Sequence, residues 1–521
     1  MSRGLDTLKS WHYGWLILAI ALAAVAWASH DLLDSPRPWF DEGIYLQAAK
    51  NIALTGHWGL QIAPGSFSDL SFITVGFPVL APLVLIFKFA GSSLLAARLY
   101  MLVWIALGIW LAGMVGAKLW NRAAGVWSAA LLATFGPWYG NGKNVMGEVP
   151  GLALFLAGIF SLAQWEEKPD SKRWACATAL FFCLAAVTKP SFLVVLPALF
   201  LAACFIFWKR YCHPRESGDL GRTLSDSRFC ENDKEESGND KKKSGNEQGG
   251  GSVNYGEMWK LGAALLLPAL LVFAVWFLTQ FGGWPSAQVL GHYSNPYGLS
   301  DVAATMLTNF KNFFLHTTPL HLLILLSAVA IYVVLRGWKK MKATELALLV
   351  VMALTLASYF RTAGWYRYFF VAQVLALFWL PACIQTFAEK LRPASKMLAP
   401  FVLLLFLGVN LFALWRDPSP LYGRNWREVE TYLKSVPDQT WFFANAPEAA
   451  FFYPGADYGQ YLRITDRLKI GQPAFGTPPP ANVVTEGDLP EMQSALTGYR
   501  LEKTLGDYRI WSRPPGSTGR P

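Results

Sequence analysis

Two adjacent carboxylates, Asp41 and Glu42, stand in the run Trp39-Phe40-Asp41-Glu42-Gly43-Ile44-Tyr45, directly after the first hydrophobic segment. A carboxylate at a membrane face can take the proton of an attacking hydroxyl, or ligate a divalent cation beside a phosphate. The bland alternative is that Asp41 caps a helix over 42–54 that Gly56 ends, since Asp is a favoured N-cap. Capping accounts for Asp41 but not for Glu42 or the flanking aromatics. A second acid, Glu148, opens an apolar run in Asn144-Val145-Met146-Gly147-Glu148-Val149-Pro150. An acid entering such a run is costly unless it is paired or lines a wet cavity. A helix N-terminus with Pro150 in its first turn would also favour it, and Lys143 can pair with it. Lys189, in Thr188-Lys189-Pro190 between two apolar runs, either snorkels to headgroups or binds an anion. Arg361 and Arg367 lie in Arg361-Thr362-Ala363-Gly364-Trp365-Tyr366-Arg367-Tyr368. Guanidinium groups suit phosphate oxygens, whereas Trp, Tyr and Arg also gather as plain interfacial anchors. His292, near Tyr293 and Tyr297, reads as no more than a substrate contact, and His316 and His321 as helix-packing residues.

These residues must be positioned by a chain of 521 residues that is 53% hydrophobic and 15% charged, with mean hydropathy +0.29. Apolar runs of roughly the 17–25 residues that cross a bilayer core recur from Tyr13 to Trp415. The expected fold class is an all-α polytopic membrane protein. Net charge +10 would suggest nucleic acid in a soluble chain. Here the basic residues sit in short loops between apolar runs, so they read as topology determinants, with no nucleic-acid partner. The run 72–90 carries Gly76, Pro78, Pro82 and Lys88, and reads as a helix lying in the outer interface. Eleven spans remain, near 13–33, 94–116, 123–139, 149–165, 174–188, 190–208, 259–281, 316–335, 345–360, 364–386 and 397–415. The first follows Arg3 and Lys9 as a signal peptide would, but reads as an uncleaved helix.

An inside N-terminus makes the cytoplasmic segments basic, as the positive-inside rule expects. They hold Lys118 and Arg122; Lys168, Lys172 and Arg173; Arg336, Lys339, Lys340 and Lys342; and Lys390, Arg392 and Lys396. The C-terminus then lies outside, at the surface of an inner (plasma) membrane. The loop 139–148 shares that outer face with Asp41 and Glu42, so carboxylates and cations far apart in sequence gather on one side.

The expected domains are a membrane unit over 1–415, with an outer loop 34–93 carrying juxtamembrane helices, and an extracytoplasmic α/β unit over 416–521. In the latter, 425–435 reads as a helix, 441–446 as a buried strand, 509–512 as a short strand, and Pro478–Pro480 as loop. Between the spans, the polar insert 209–258 is dominated by Gly, Ser, Asn, Asp, Glu and Lys and reads as disordered cytoplasmic chain. Cys212, His213 and Cys230 in it are too scattered for a metal site. Cys176, Cys183, Cys204 and Cys383 fall in apolar runs, which excludes a disulfide framework. No dinucleotide fingerprint or P-loop is present, which argues against a nucleotide-driven pump.

Taken together, these residues resemble the GT-C glycosyltransferases, near the protein O-mannosyltransferases and the bacterial aminoarabinose and related lipopolysaccharide sugar transferases. The resemblance rests on Asp41-Glu42-Gly43-Ile44-Tyr45, Gly76-Phe77-Pro78 with Leu80, Arg98 opening the second span, Glu148-Val149-Pro150, Thr188-Lys189-Pro190 and Arg367-Tyr368. It implies transfer of a sugar, with inversion, from a polyprenyl-phosphate carrier to an extracytoplasmic acceptor hydroxyl. Carried over, Asp41 is the catalytic carboxylate with Glu42 beside it, and Glu148 fills a second acidic position where many relatives have Asp. Lys189 and Arg367 become donor-phosphate contacts with Arg361 a weaker addition; Tyr45, Tyr366, Tyr368 and His292 are weaker substrate contacts. No cofactor is certain, although a divalent metal ion held by Asp41 and Glu148 is compatible with such chemistry. The His-Pro-Pro sequence of the mannosyltransferases is reduced to Gly76-Phe77-Pro78, which disfavours a protein acceptor, and the Trp-Trp-Asp motif of oligosaccharyltransferases is absent. The competing reading is a lipid-linked sugar transporter or flippase, which would favour mid-membrane charges and internal repeats. A catalytically dead scaffold of the same fold is the other, and the intact Asp41-Glu42 pair argues against it.

Overall fold

The computed structural model describes residues 2–68, 73–212, 255–281, 301–315, 317–337, 340–362, 364–390, 397–416, 425–436, 439–456, 458–469, 471–476 and 478–514. Most of the insert 209–258, with Cys230, lies outside the described residues, as do His292, Tyr293, Tyr297 and His316.

The chain opens with helix α1 (Ser2–Ser29) and α2 (Phe40–Thr55), a short hairpin of β1 (Leu60–Ala63) and β2 (Ser66–Ser68), and α3 (Phe77–Ala90). Helices α4 (Leu94–Leu119), α5 (Arg122–Ala133), α6 (Gly136–Gly142), α7 (Glu148–Glu167), α8 (Lys172–Thr188), α9 (Val195–Cys212) and α10 (Tyr255–Phe281) follow. Beyond them come helices Val302–Leu315, Thr317–Arg336, Ala343–Phe360, Phe370–Lys390 and Leu398–Arg416.

Among the described residues, eight helices are long and apolar enough to cross a membrane. A ninth is counted if Val302–Leu315 and Leu320–Arg336, bent by 91°, make one broken span. The expected division into eleven therefore counts two runs that are short as helices. The run 123–139 breaks at Thr134-Phe135, and Pro137, whose missing N–H suits a first turn, starts a new helix there, which separates α5 from α6. Helix α8 has 17 residues, about 25 Å at 1.5 Å per residue.

Hydrogen bonds at the helix ends nonetheless sort several of these runs between two ends of one bundle. At one end Lys118 pairs with Glu167, Lys342 donates to Leu119 O, Glu166 accepts from Ala343 N, and Asn121 bonds Gln385. At the other, Arg98 meets Glu42, Lys189 meets Glu148, Gln280 donates to Ile73 O, and Arg367 meets Asp41. Asp41, Glu42 and the 139–148 loop thus occupy the same end, as the loop charges predicted.

The C-terminal unit contains helix Asn425–Ser435 and a five-stranded mixed sheet. Its strands are β3 (Trp441–Ala444), β4 (Tyr458–Tyr461), β5 (Asn482–Glu486), β6 (Arg500–Leu505) and β7 (Tyr508–Ser512), in the order β4-β3-β5-β7-β6. Strand β3 is parallel to β4 and β5, and its four residues are all buried, the unalternating pattern of a covered parallel strand. This unit does not stand apart. Trp441, Phe443, Phe451 and Val484 share one apolar core with Ile44 and Leu46 of α2 and Val79, Leu83 and Phe87 of α3. A Cβ on Gly43 would sit 2.2 Å from Glu448 N, so α2 can approach helix Pro447–Phe452 only with glycine there.

Candidate active site

The site grows from the first turn of α2. The helix begins at Phe40, its N-cap is Trp39, and no side chain caps it. Asp41 is therefore inside the first turn rather than the expected cap, and its carboxylate is left free to reach outward. It pairs with Arg367 Nη1, and a quarter of its side chain remains exposed (25%).

Glu42, one residue on, points the opposite way. Its side chain is completely buried (0%) and accepts from Arg98 Nε at 3.2 Å, Arg98 Nη2 at 2.8 Å and Val145 N at 3.2 Å. Arg98 also donates to Leu32 O at 2.7 Å and Asn144 Oδ1 at 3.0 Å. Four segments are tied by one buried pair: the exit of α1, the start of α2, the top of α4 and the 144–148 loop. Instead of facing substrate beside Asp41, Glu42 anchors the loops that carry Asp41 and Glu148.

Glu148 is the first residue of α7, where the unpaired backbone N–H groups favour a carboxylate. Its partner is Lys189, not Lys143, which donates to His30 O at 3.1 Å. Lys189 precedes Pro190, and the steric demand of that ring holds it extended at φ −159°, ψ 143°. The side chain therefore projects from the gap between α8 and the 3₁₀ turn Pro190–Val194, while the bare α-carbon of Gly147 lets α7 close against it. Glu148 Oε2 is buried without a hydrogen-bond partner among the described residues.

Arg367 lies on the 3₁₀ turn Tyr366–Tyr368, between two spanning helices. Its guanidinium sits 5.4 Å from the Trp39 ring centroid, 4.6 Å from Trp365 and 5.3 Å from Tyr368. Burial opposes its charge, but Asp41 and Glu148 outweigh that and raise the guanidinium above its ordinary value. Tyr45, hydrogen-bonded to Thr74, is pushed well above the usual phenol range by burial and then by Asp41, with Arg367 and Glu148 also acting on it. Asp41, Tyr45, Glu148 and Arg367 are thus within electrostatic reach of one another. Two donors of this cluster, Arg367 Nε and Trp39 Nε1, are buried without a hydrogen-bond acceptor among the described residues.

The other expected residues divide. Tyr366 donates to Gln373, which in turn bonds His321, so it braces the turn beneath Arg367. Tyr368 accepts from Arg367 Nη2 at 3.3 Å. Arg361 is exposed at the end of its helix, and no bond joins its side chain to the cluster. His292 lies outside the described residues. Trp39, Arg98 and Asn144 were not expected as parts of the site. An arginine inside an apolar run was the available signal for Arg98; nothing local distinguishes Trp39 from other interfacial tryptophans.

A divalent ion at Asp41 and Glu148 was the metal site the sequence offered. Among the described residues no group of three or more His, Cys, Asp or Glu is placed to hold one, and each carboxylate is already neutralised by its own cation.

No family model matches the chain, and no curated protein matches its sequence. Solved structures do match in shape. ArnT from Cupriavidus metallidurans bound to undecaprenyl phosphate superposes with TM-score 0.57 at 13% identity, over 98% of this chain and 99% of that one. The archaeal oligosaccharyltransferase AglB from Archaeoglobus fulgidus, in complex with an inhibitory peptide and a dolichol-phosphate, gives TM-score 0.55 at 10% identity, over 98% and 75%. The chain therefore shares its fold with these two structures. That likeness of fold extends over nearly the whole chain.

Proposed function

We propose that this protein transfers a sugar from a polyprenyl-phosphate donor to an acceptor hydroxyl at the outer face of the cell's inner membrane. The observation that carries the reading is the Arg367 cradle: a guanidinium against three aromatic rings, with two buried, unsatisfied donors beside the Asp41 carboxylate. Such donors suit phosphate oxygens, and ArnT and AglB are seen with undecaprenyl phosphate and dolichol-phosphate.

In the reaction, the bond from the anomeric carbon to the donor phosphate breaks, and the acceptor oxygen forms its bond on the opposite face, which inverts the centre. Asp41, the more exposed acid, takes the acceptor proton. Arg367 and Lys189 hold the phosphate charge that develops on the leaving group. Glu148 holds Lys189 in place, and Glu42 with Arg98 fixes the loops. The basic residues Lys118, Arg122, Lys168, Lys172, Arg173 and Lys342, at helix ends away from Asp41, support an orientation with that end in the cytoplasm. The C-terminal sheet shares an apolar core with α2, the helix whose first turn carries Asp41.

The test is transfer from a panel of polyprenyl-phosphate sugars to cell-envelope acceptors by wild type and Asp41→Asn. Removing a general base lowers turnover by roughly a hundredfold or more. Undiminished transfer by Asp41→Asn would take Asp41 out of the chemistry.

A further inference from the structure

We infer that Asn309, on helix Val302–Leu315, is a positioning residue for Arg367: it clamps the chain that carries the arginine to Asp41. The inference rests on the reading of Arg367 as a donor-phosphate contact.

Asn309 is buried (3% exposed) in a helix whose other face is apolar and open: Leu307, Phe310, Phe314 and Leu315 are all more than half exposed. In a bilayer that face lies in hydrocarbon and fixes the helix from outside. From the inner face, Asn309 Nδ2 donates to Tyr359 O at 3.4 Å, Phe360 O at 3.3 Å and Thr362 O at 2.6 Å. These are carbonyls at the end of helix Ala343–Phe360 and the turn beyond it; Tyr359 O also accepts from Thr362 N and Oγ1, whereas the shortest contact, to Thr362 O, is made by Asn309. The other half of the amide is equally committed. Gly364 has φ +73°, and a Cβ there would lie 2.3 Å from Asn309 Oδ1, so the loop backbone rests directly on the side chain. Phe313, one turn on, packs edge-on against Phe369, at 6.1 Å between centroids. The turn Tyr366–Tyr368 is thus gripped on both sides, at Gly364 and at Phe369.

An apolar residue at 309 would fill the same space. Only a side chain with two N–H donors can hold the carbonyls that set the direction in which the chain leaves toward Arg367. A mere helix cap would affect stability alone; a positioning residue must also change how tightly the donor phosphate is held.

The experiment uses the full-length protein in lipid nanodiscs. It measures binding of undecaprenyl phosphate, donor KM, kcat at saturating donor and thermal midpoint for Arg367→Ala, Asn309→Ala, Gly364→Ala and the Asn309→Ala/Gly364→Ala pair. Asn309→Ala should weaken undecaprenyl phosphate binding by about tenfold and lower donor kcat/KM by at least as much, because Arg367 also holds the charge that develops on the leaving phosphate. Gly364→Ala should do the same while keeping the amide. In the double variant the truncated side chain makes room for the new methyl, so the two effects should be less than additive. If Arg367→Ala weakens binding while Asn309→Ala and Gly364→Ala do not, the clamp is refuted. If Arg367→Ala leaves binding intact, the donor-phosphate reading fails instead. Should Asn309→Ala fail to fold, Gly364→Ala alone decides: unchanged donor affinity there overturns the inference.

Discussion

Replacing Glu42 by Gln separates the two acids that the sequence presents side by side. Both members of the Glu42–Arg98 pair are fully buried (0%), and Glu42 accepts three hydrogen bonds. Gln keeps the size but turns one acceptor oxygen into a donor amide. That amide must face either an Arg98 N–H or Val145 N, and the arginine charge is left without its counter-ion. Removing one partner of a buried pair costs about 3–5 kcal/mol. An unfolding entropy of about 2.1 cal/mol/K per residue over the 521 residues is roughly 1.1 kcal/mol/K, which puts the midpoint drop at about 3–5 °C. Helices that persist in lipid after unfolding lower that entropy and enlarge the drop. A thiol-reactive dye reads it directly, because Cys183 and Cys383 are buried and free. Turnover of the surviving folded fraction should stay within about tenfold of wild type, whereas Asp41→Asn should lose turnover with an unchanged midpoint. An unchanged midpoint with abolished turnover in Glu42→Gln would refute the anchoring role and return Glu42 to the chemistry.

Lys189→Met should strand Glu148, already missing a partner at Oε2, and lower the thermal midpoint. Adding Glu148→Gln should recover most of that loss while sugar transfer stays abolished; recovery of transfer would remove Lys189 from donor binding. The C-terminal unit should carry a pH dependence of its own. Burial, reinforced by Glu486, raises the Glu448 carboxyl to about 8. Between its unfolded value near 4.3 and about 8, the folded state binds more protons than the unfolded one. Its contribution is therefore full below about pH 4.3 and is lost as pH rises through about 8. Glu448→Gln should flatten the decline in thermal midpoint between about pH 5 and 8; an identical slope in both proteins would exclude this group.

Much of this was legible in the chain because the signals are local. Runs of apolar residues must become helices in lipid, since every backbone polar group has to be satisfied within the segment. Loop charges then predicted that Asp41, Glu148, Lys189 and Arg367 share one end of the bundle, and helix-end pairs place them there. Motif order suggested the likeness of fold although no family model and no curated protein matches the chain.

The division of labour between neighbouring residues was not legible. Asp41 and Glu42 look equivalent as letters, yet successive positions on a helix point about 100° apart, so one meets Arg367 at a partly exposed cluster and the other the packed interior. Whether α5 and α8 suffice as crossings depended on neighbours that hold their ends. That the C-terminal sheet, besides a core of its own around Phe442, Val483 and Met492, shares a second one with α2 and α3 emerged only in three dimensions. Sequence by itself determined what could be buried and which charges had to be reconciled with lipid. Tertiary structure decided which charge met which partner, because a buried ion is tolerated only where a specific counter-ion arrives from another part of the chain.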